Sequence, residues 1–204
     1  MGWYREQVVP RLVELTCGNP QMERWRARAT EGLHGRIVEI GFGSGLNVPV
    51  YPAEVTEVLA VEPAHVARER AADRIAASHA VITHVGLDGQ VLPIDDHSCD
   101  GALSTFTLCT IPDVAAALAE LRRVLKPGGE LHVLEHGLSP DPAIAKWQHR
   151  LDPIEQKLAD GCHLTRDPVA LLAAAGFEVV RSDSRYAKGP KPWTWMTSAV
   201  ALSP

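Results

Sequence analysis

Three glycines at alternate positions, in Gly41-Phe42-Gly43-Ser44-Gly45, follow an apolar run, Arg36–Ile40, that reads as a buried strand. Lacking a Cβ, glycine lets the backbone turn tightly and come close to a ligand. An acidic residue, Glu62, ends the next strand-like run, about 20 residues on. This layout fits a nucleoside-containing cofactor laid across the first two strands of an α/β sheet. Two familiar sites do not match it. A nicotinamide site prefers Gly-x-Gly-x-x-Gly, whereas here the third glycine comes one residue early and Leu46 stands in its place. A P-loop needs Gly-Lys-Ser/Thr after the glycines, and none follows.

Strands and helices alternate from there. Glu57–Glu62, Ala80–Val85, Gly101–Thr105 and Glu130–Glu135 read as strands two to five. Between them lie a short helix ending near Tyr51-Pro52, a helix over Pro63–Ala77, and one over Asp113–Leu125 that stops at Lys126-Pro127-Gly128-Gly129. Such alternation predicts a parallel sheet with helices on both faces. Ahead of it, Trp3–Leu15 and Pro20–Leu33 read as helices, the first with Pro10 near a break. Behind it come a helical stretch carrying Trp147, a helix over Pro168–Ala175 closed by Gly176, and two final strands, Phe177–Tyr186 and Thr194–Leu202, joined as a hairpin-like edge.

With 204 residues the chain is long enough for one domain with a sizeable core. It carries 20 basic and 25 acidic residues, a net charge of −5, and no dense basic cluster. Nucleic-acid binding is therefore not expected, because phosphate neutralisation needs a basic surface. Cys17, Cys99, Cys109 and Cys162 include no Cys-x-x-Cys pair, so neither a zinc knuckle nor a disulfide framework is predicted, and a reducing cytoplasm fits. The N-terminus lacks a signal-peptide pattern, and no stretch is apolar enough for a transmembrane anchor.

The ordered motifs resemble those of the class I S-adenosylmethionine-dependent methyltransferases. Glu39-Ile40-Gly41-Phe42-Gly43-Ser44-Gly45 is similar to that family's first motif and Val61-Glu62-Pro63 to its second-strand acidic motif. Asp88-Gly89-Gln90-Val91-Leu92-Pro93 is similar to its adenine-contacting segment, Asp96–Asp100 to its turn into strand four, and Leu121–Gly129 to its approach to strand five. A narrower resemblance, carried by Thr107-Leu108-Cys109, Glu135-His136, Trp147-Gln148 and Asp160–Arg166, is to the methyltransferase-like group that S-methylates alkyl thiols.

The resemblance implies a Rossmann-like, doubly wound, seven-stranded α/β fold, mostly parallel with an antiparallel C-terminal edge element. It implies a single domain over 1–204, with N-terminal helices over 1–34, a cofactor-binding core over 35–136, and a substrate-side insert and C-terminal strands over 137–204. The cofactor it implies is S-adenosyl-L-methionine. Gly41, Gly43 and Gly45 would back its methionine part with Glu39 nearby. Glu62, before Pro63, would accept both ribose hydroxyls. Asp88 and Gly89 would meet the adenine, and the backbone at Thr105 and Phe106 the amino-acid end. Glu39 as a cap on the glycine loop, Glu62 as a helix-start charge and Asp88 as a turn residue are the structural alternatives.

The acceptor side is read from chemistry. A thiol reacts well only as thiolate. His136 ends strand five, where a parallel sheet opens to ligands, and could take the proton or be structural. Cys109 could line the methyl site or act as a small core residue. Trp147 could wall an apolar substrate or pack as core. Asp160, Cys162 and His163 are expected to shape the pocket, with Cys162 and His163 not facing each other as a reactive pair. His132 and His136 share a strand face but lack a third ligand at known spacing, so no metal is expected. The expected reaction is methylation of a small, fairly apolar acceptor, for which the narrower resemblance implies a thiol. The alternatives are a quinone precursor, a phospholipid amine or another natural product, and a cofactor-binding regulatory protein without turnover.

Overall fold

The computed structural model describes residues 11, 14 and 16–204. Most of the Trp3–Leu15 segment, with Pro10, lies outside the described residues. Seven strands form one sheet: β1 (Gly35–Ile40), β2 (Val55–Val61), β3 (Val81–Gly86), β4 (Cys99–Thr105), β5 (Leu125–His136), β6 (Glu178–Tyr186) and β7 (Trp195–Leu202). Their order is β3-β2-β1-β4-β5-β7-β6. The first five strands run parallel, and β7 runs antiparallel between β5 and β6.

The central strands are near-continuous runs of Val, Ile, Leu and Ala because both sheet faces are covered. Successive residues fall into opposite clusters, as a two-residue strand period requires. Val38, Ile40, Leu59 and Val61 pack with the helix α3 (Val114–Val124). Ile37, Val58, Ala60 and Leu103 pack on the other face with Phe42 and Tyr51. Edge strand β3 has no fully buried residue and is correspondingly poorer in apolar residues.

The helices begin where capping chemistry allows. Asn19 accepts from Gln21 and Met22 N–H to start α1 (Pro20–Thr30). Asp113 caps α3, Asp141 caps α4 (Pro142–Leu158), and Asp167 caps α5 (Pro168–Ala174). Each such cap is worth about 1 kcal/mol. The remaining helix of the central sheet, α2, covers His65–Ala76.

Most boundaries shift by one to three residues, and two differences go further. The expected short helix before Tyr51 is a single 3₁₀ turn, Val48–Val50, too short for an α-helix. Strand five starts at Leu125 because Leu125 pairs with Cys99, but the register jumps from Leu125 to Glu130. The Lys126–Gly129 segment therefore bulges inside a strand instead of only ending a helix. It is held by Gly128 N–H to Ser203 O at 2.9 Å and Ser203 N–H to Gly129 O at 2.9 Å.

The register decides where chemistry can occur. Ile40 lies opposite both Val61 and Ser104, and Thr105 opposite Leu134. Gly41, Glu62 and Phe106, which follow these strands, and His136, which ends β5, thus lie along one edge of the sheet. The chain order reverses between β1 and β4, which is where an open α/β sheet parts its loops.

Candidate active site

The glycine loop is built almost entirely from backbone. Gly41 and Phe42 N–H donate to Val61 O at 2.9 and 3.1 Å, so the loop folds back over β2. Gly41, Gly43 and Gly45 have φ of 69°, 58° and 76°, the left-handed region that favours glycine. They differ in surroundings. A Cβ on Gly41 would overlap the Thr107 side chain, whereas one on Gly43 would meet only Gly41 O at 3.8 Å. The space in front of Gly43 is open.

Glu62 stands at the end of β2, 7% exposed. Its two oxygens accept from Gly43 N–H and Ala64 N–H, each at 2.8 Å. Burial pushes its carboxyl upward, opposed by those two N–H donors and by Arg68. A carboxylate has about four acceptor positions, so two further donors can be taken. Asp88 is exposed and accepts from Gln90 N–H and Gln90 Nε2, both at 2.9 Å, an Asx-type turn. Gly89 sits close to Ile40 and Ile111, which places this turn over the end of β1. A nucleoside-bearing ligand fits these features: an open cradle at Gly43, a strand-end carboxylate with spare acceptor capacity, and a turn opposite. Pro63, next to Glu62, is exposed.

Glu39 occupies a different environment. It is 0% exposed, accepts from Asn47 Nδ2 at 2.8 Å, and is bonded to the Tyr51 hydroxyl. Arg26 Nη1 extends the network, donating to Asn47 Oδ1 at 2.9 Å and Thr105 Oγ1 at 2.7 Å. Burial raises the Glu39 carboxyl to about 7, against the pull of Tyr51, Asn47 and Arg26. The carboxylate thus braces the turn behind the glycine loop. Thr105 is buried in the same network, while Phe106 has φ 55°, a bent position for a bulky residue. The Arg26 guanidinium lies 5.2 Å from the Phe106 ring centre.

The far half of the edge is made of side chains. Glu135, 1% exposed, accepts from Thr107 and Leu108 N–H at 2.7 and 2.8 Å, anchoring the loop after β4. That loop presents Cys109. His136 Nε2 lies 3.1 Å from Cys162 Sγ, and Cys162 Sγ lies 3.6 Å from Cys109 Sγ. His163 N–H donates to Cys109 O at 2.9 Å, joining the two cysteine-bearing segments by backbone. Arg166 reaches across to Leu108 O and to Ile111 O, the latter at 2.8 Å. Asp152 accepts from Leu164 N–H at 2.6 Å and faces His163 Nδ1 at 3.4 Å.

The hydrogen bond with Cys162 and burial hold the Cys109 thiol well above its ordinary range. Burial lowers the His136 imidazole while the Cys109 sulfur and Glu135 raise it, for a net upward shift. A thiol kept protonated has no charge with which to lift the imidazole, so these groups titrate as one unit, and the direction that stands is Cys109 upward.

Cys162 and His163 do not face each other; Cys162 faces His136 and Cys109, while His163 faces Asp152. Asp160 has φ 54° in the turn beside them. Trp147 is 53% exposed with Arg150 over its ring, so it does not pack as core. His132 and His136 do not form a pair, because both His132 nitrogens are engaged, Nδ1 with Ala29 O at 2.7 Å and Nε2 with Glu130 at 3.0 Å. The expectation of no metal rested on a missing third ligand beside His132 and His136; Cys109, His136 and Cys162 place three ligand atoms within 4.8 Å of one another. Local spacing hid this, since the three residues lie on separate segments. Sequence reasoning also passed over Arg26, Asn47, Tyr51, Asp152 and Arg166, whose partners are distant in sequence. A basic or amide residue destined for burial carries no local mark.

A methyltransferase domain family matches residues 38–133. Thiol S-methyltransferase TMT1B of Homo sapiens is 30% identical over 173 residues, covering 81% of this chain and 68% of that protein. Its Rattus norvegicus counterpart is 31% identical, covering 78% of this chain and 65% of that protein. The chain thus spans about two thirds of the length of these relatives. Among solved structures, one of a putative methyltransferase from Bacillus halodurans superposes with a TM-score of 0.72 at 14% identity, covering 89% of this chain and 98% of that one.

Proposed function

The chain belongs to the class I S-adenosylmethionine-dependent methyltransferases, and on that footing we propose that it methylates the sulfur of a small, fairly apolar thiol. The observation that carries the acceptor class is the likeness to thiol S-methyltransferases over 81% of the chain, well beyond residues 38–133. The Cys109–His136–Cys162 cluster at the strand ends gives a sulfur acceptor a soft, largely dry neighbourhood.

S-adenosylmethionine, when bound, supplies a methyl group already activated on a positively charged sulfur. Positioning therefore contributes much of the rate. In this reading Glu62 accepts from the two ribose hydroxyls, using lone pairs that Gly43 and Ala64 N–H leave free. The loop at Gly41, Gly43 and Gly45 lies against the methionine part without side chains in the way. Asp88 and Gly89 N–H meet the adenine. The backbone at Thr105 and Phe106 meets the amino-acid end, and Glu39 acts behind the loop through Asn47. On the acceptor side Cys109, Cys162, His163 and Asp160 shape the pocket, Trp147 borders it from α4, and the thiol loses its proton beside His136.

The test is incubation of the whole chain with methyl-labelled cofactor and a panel of alkyl and aryl thiols, hydroxyls, amines and quinols, with products read by mass spectrometry. The expected result is label on thiol sulfur. Label only in hydroxyl, amine or quinol products overturns the thiol assignment. Cofactor binding without any product favours a regulatory protein instead.

A further inference from the structure

We infer that Cys109, His136 and Cys162 form a binding site for one zinc-type divalent cation, with an open fourth position that a small thiol can occupy. The donor set is two sulfurs and one imidazole nitrogen, which suits a borderline-soft ion. Tetrahedral zinc, at ~2.3 Å from sulfur and ~2.0 Å from nitrogen, sets its ligands about 3.8 Å apart for two sulfurs and about 3.5 Å apart for sulfur and nitrogen. The observed separations are 3.6 Å between the sulfurs and 3.1 Å from Cys162 Sγ to His136 Nε2. These two separations each fall within a few tenths of an ångström of the zinc values, and all three donor atoms lie within 4.8 Å of one another.

The three ligands are held in place by contacts that do not use their donor atoms. The His163 N–H bond to Cys109 O ties the two cysteine segments together. Arg166 fixes the same two segments through Leu108 O and Ile111 O. His136 is set by strand pairing with Met196. The cysteines are 3% and 8% exposed, so an ion there is shielded from bulk water. On binding, each of the two thiols gives up its proton to solvent as its metal–sulfur bond forms, and the two thiolates neutralise the charge of the ion. Two further buried atoms beside the group, Glu135 Oε2 and His136 Nδ1, have no hydrogen-bond partner. A metal-bound imidazole keeps its proton on the other nitrogen, and Nδ1 is that position.

No fourth His, Cys, Asp or Glu joins the group among the described residues. Three protein ligands and one open position is the arrangement of a reactive rather than a structural zinc site. A thiol entering that position gives up its proton to solvent and binds as thiolate through a new metal–sulfur bond. This second part rests on the thiol-acceptor reading above; the metal site itself does not. With the ion present, His136 is a ligand, and the ion rather than the imidazole makes the thiol acidic.

The experiment titrates reduced, chelator-treated full chain with Zn²⁺ against a chromophoric chelator, and separately with Co²⁺ while recording visible absorption. One tightly held ion per chain is expected, with tetrahedral cobalt bands and sulfur-to-cobalt charge transfer. Outer-shell changes at metal sites already cost ~10–100-fold, so Cys109→Ala, Cys162→Ala and His136→Ala are each expected to weaken binding by at least about 100-fold. Cys99→Ala, a buried cysteine outside the group, leaves it unchanged. Calorimetry with S-adenosylmethionine shows that each variant is folded. Weak or sub-stoichiometric binding that survives Cys162→Ala overturns the site. Adding 2-mercaptoethanol to the cobalt form, without S-adenosylmethionine, is expected to intensify the charge-transfer band. An unchanged spectrum with cobalt bound overturns the thiol position and leaves the metal site standing. A spectral response from a protein that methylates no thiol contradicts the acceptor reading alone.

Discussion

The two halves of the sheet edge are built by opposite means. Around Gly41, Gly43 and Gly45 the surface is bare backbone, with one carboxylate from the next strand. Around Cys109, His136 and Cys162 it is side chains, delivered by segments 26 and 53 residues apart and stitched together by Arg166 and Asp152. Backbone suits a ligand common to many enzymes, since it demands only shape. Side chains suit the part that varies with the acceptor. Damage to one half is therefore expected to leave the other measurable.

The largest effect expected is on the backbone half. Gly43→Val places a branched side chain into open ligand space, so S-adenosylmethionine binding is lost in calorimetry while the protein stays folded, at a cost of ~1–2 kcal/mol for the left-handed backbone. Gly41→Val should instead fail to fold stably, because its side chain collides with Thr107. If both variants behave alike, the two glycines have been misassigned. Next in size is Glu62→Ala. Two charged hydrogen bonds at ~1.5–3 kcal/mol each imply a cofactor affinity at least about 100-fold weaker. Thiol-dependent signals in the cobalt form should not change.

A smaller effect is expected at Arg166. Arg166→Ala leaves Leu108 and Ile111 carbonyls without their partner, lowering stability by ~1–3 kcal/mol in thermal or denaturant unfolding. It should loosen the acceptor half while S-adenosylmethionine affinity stays within about 3-fold, a change under about 1 kcal/mol. Equal losses on both sides would contradict their separation.

The last expected effect is a pH dependence. Glu39 has its folded pKa raised to about 7 from an ordinary 4.5. The folded state therefore holds the proton more tightly, so this group's contribution is full below about 4.5 and is lost as pH rises towards about 7. Glu39→Gln should remove that slope, worth about 3 kcal/mol, and gain relative stability above pH 7. A slope unchanged in the variant assigns the dependence to another group.

The same contrast explains what could be read from the chain. Alternating strands and helices, the glycine triplet and Glu62 are local patterns imposed by burial period and backbone freedom, so they show in sequence. The reversal of order at β7 follows from a hairpin but not from any one residue. The Cys109–His136–Cys162 group leaves no spacing signature, because its geometry is set by which loops the sheet register brings together. Glu39 showed an acidic residue beside glycines but not its burial against Tyr51 and Asn47.

A crystal structure of the S-adenosylmethionine complex decides whether both halves address one cofactor at the same edge. The expected result is ribose hydroxyls on both Glu62 oxygens, with the sulfonium methyl directed towards Cys109, His136 and Cys162. A ligand seated elsewhere, or one whose methyl faces away from those three residues, would contradict it.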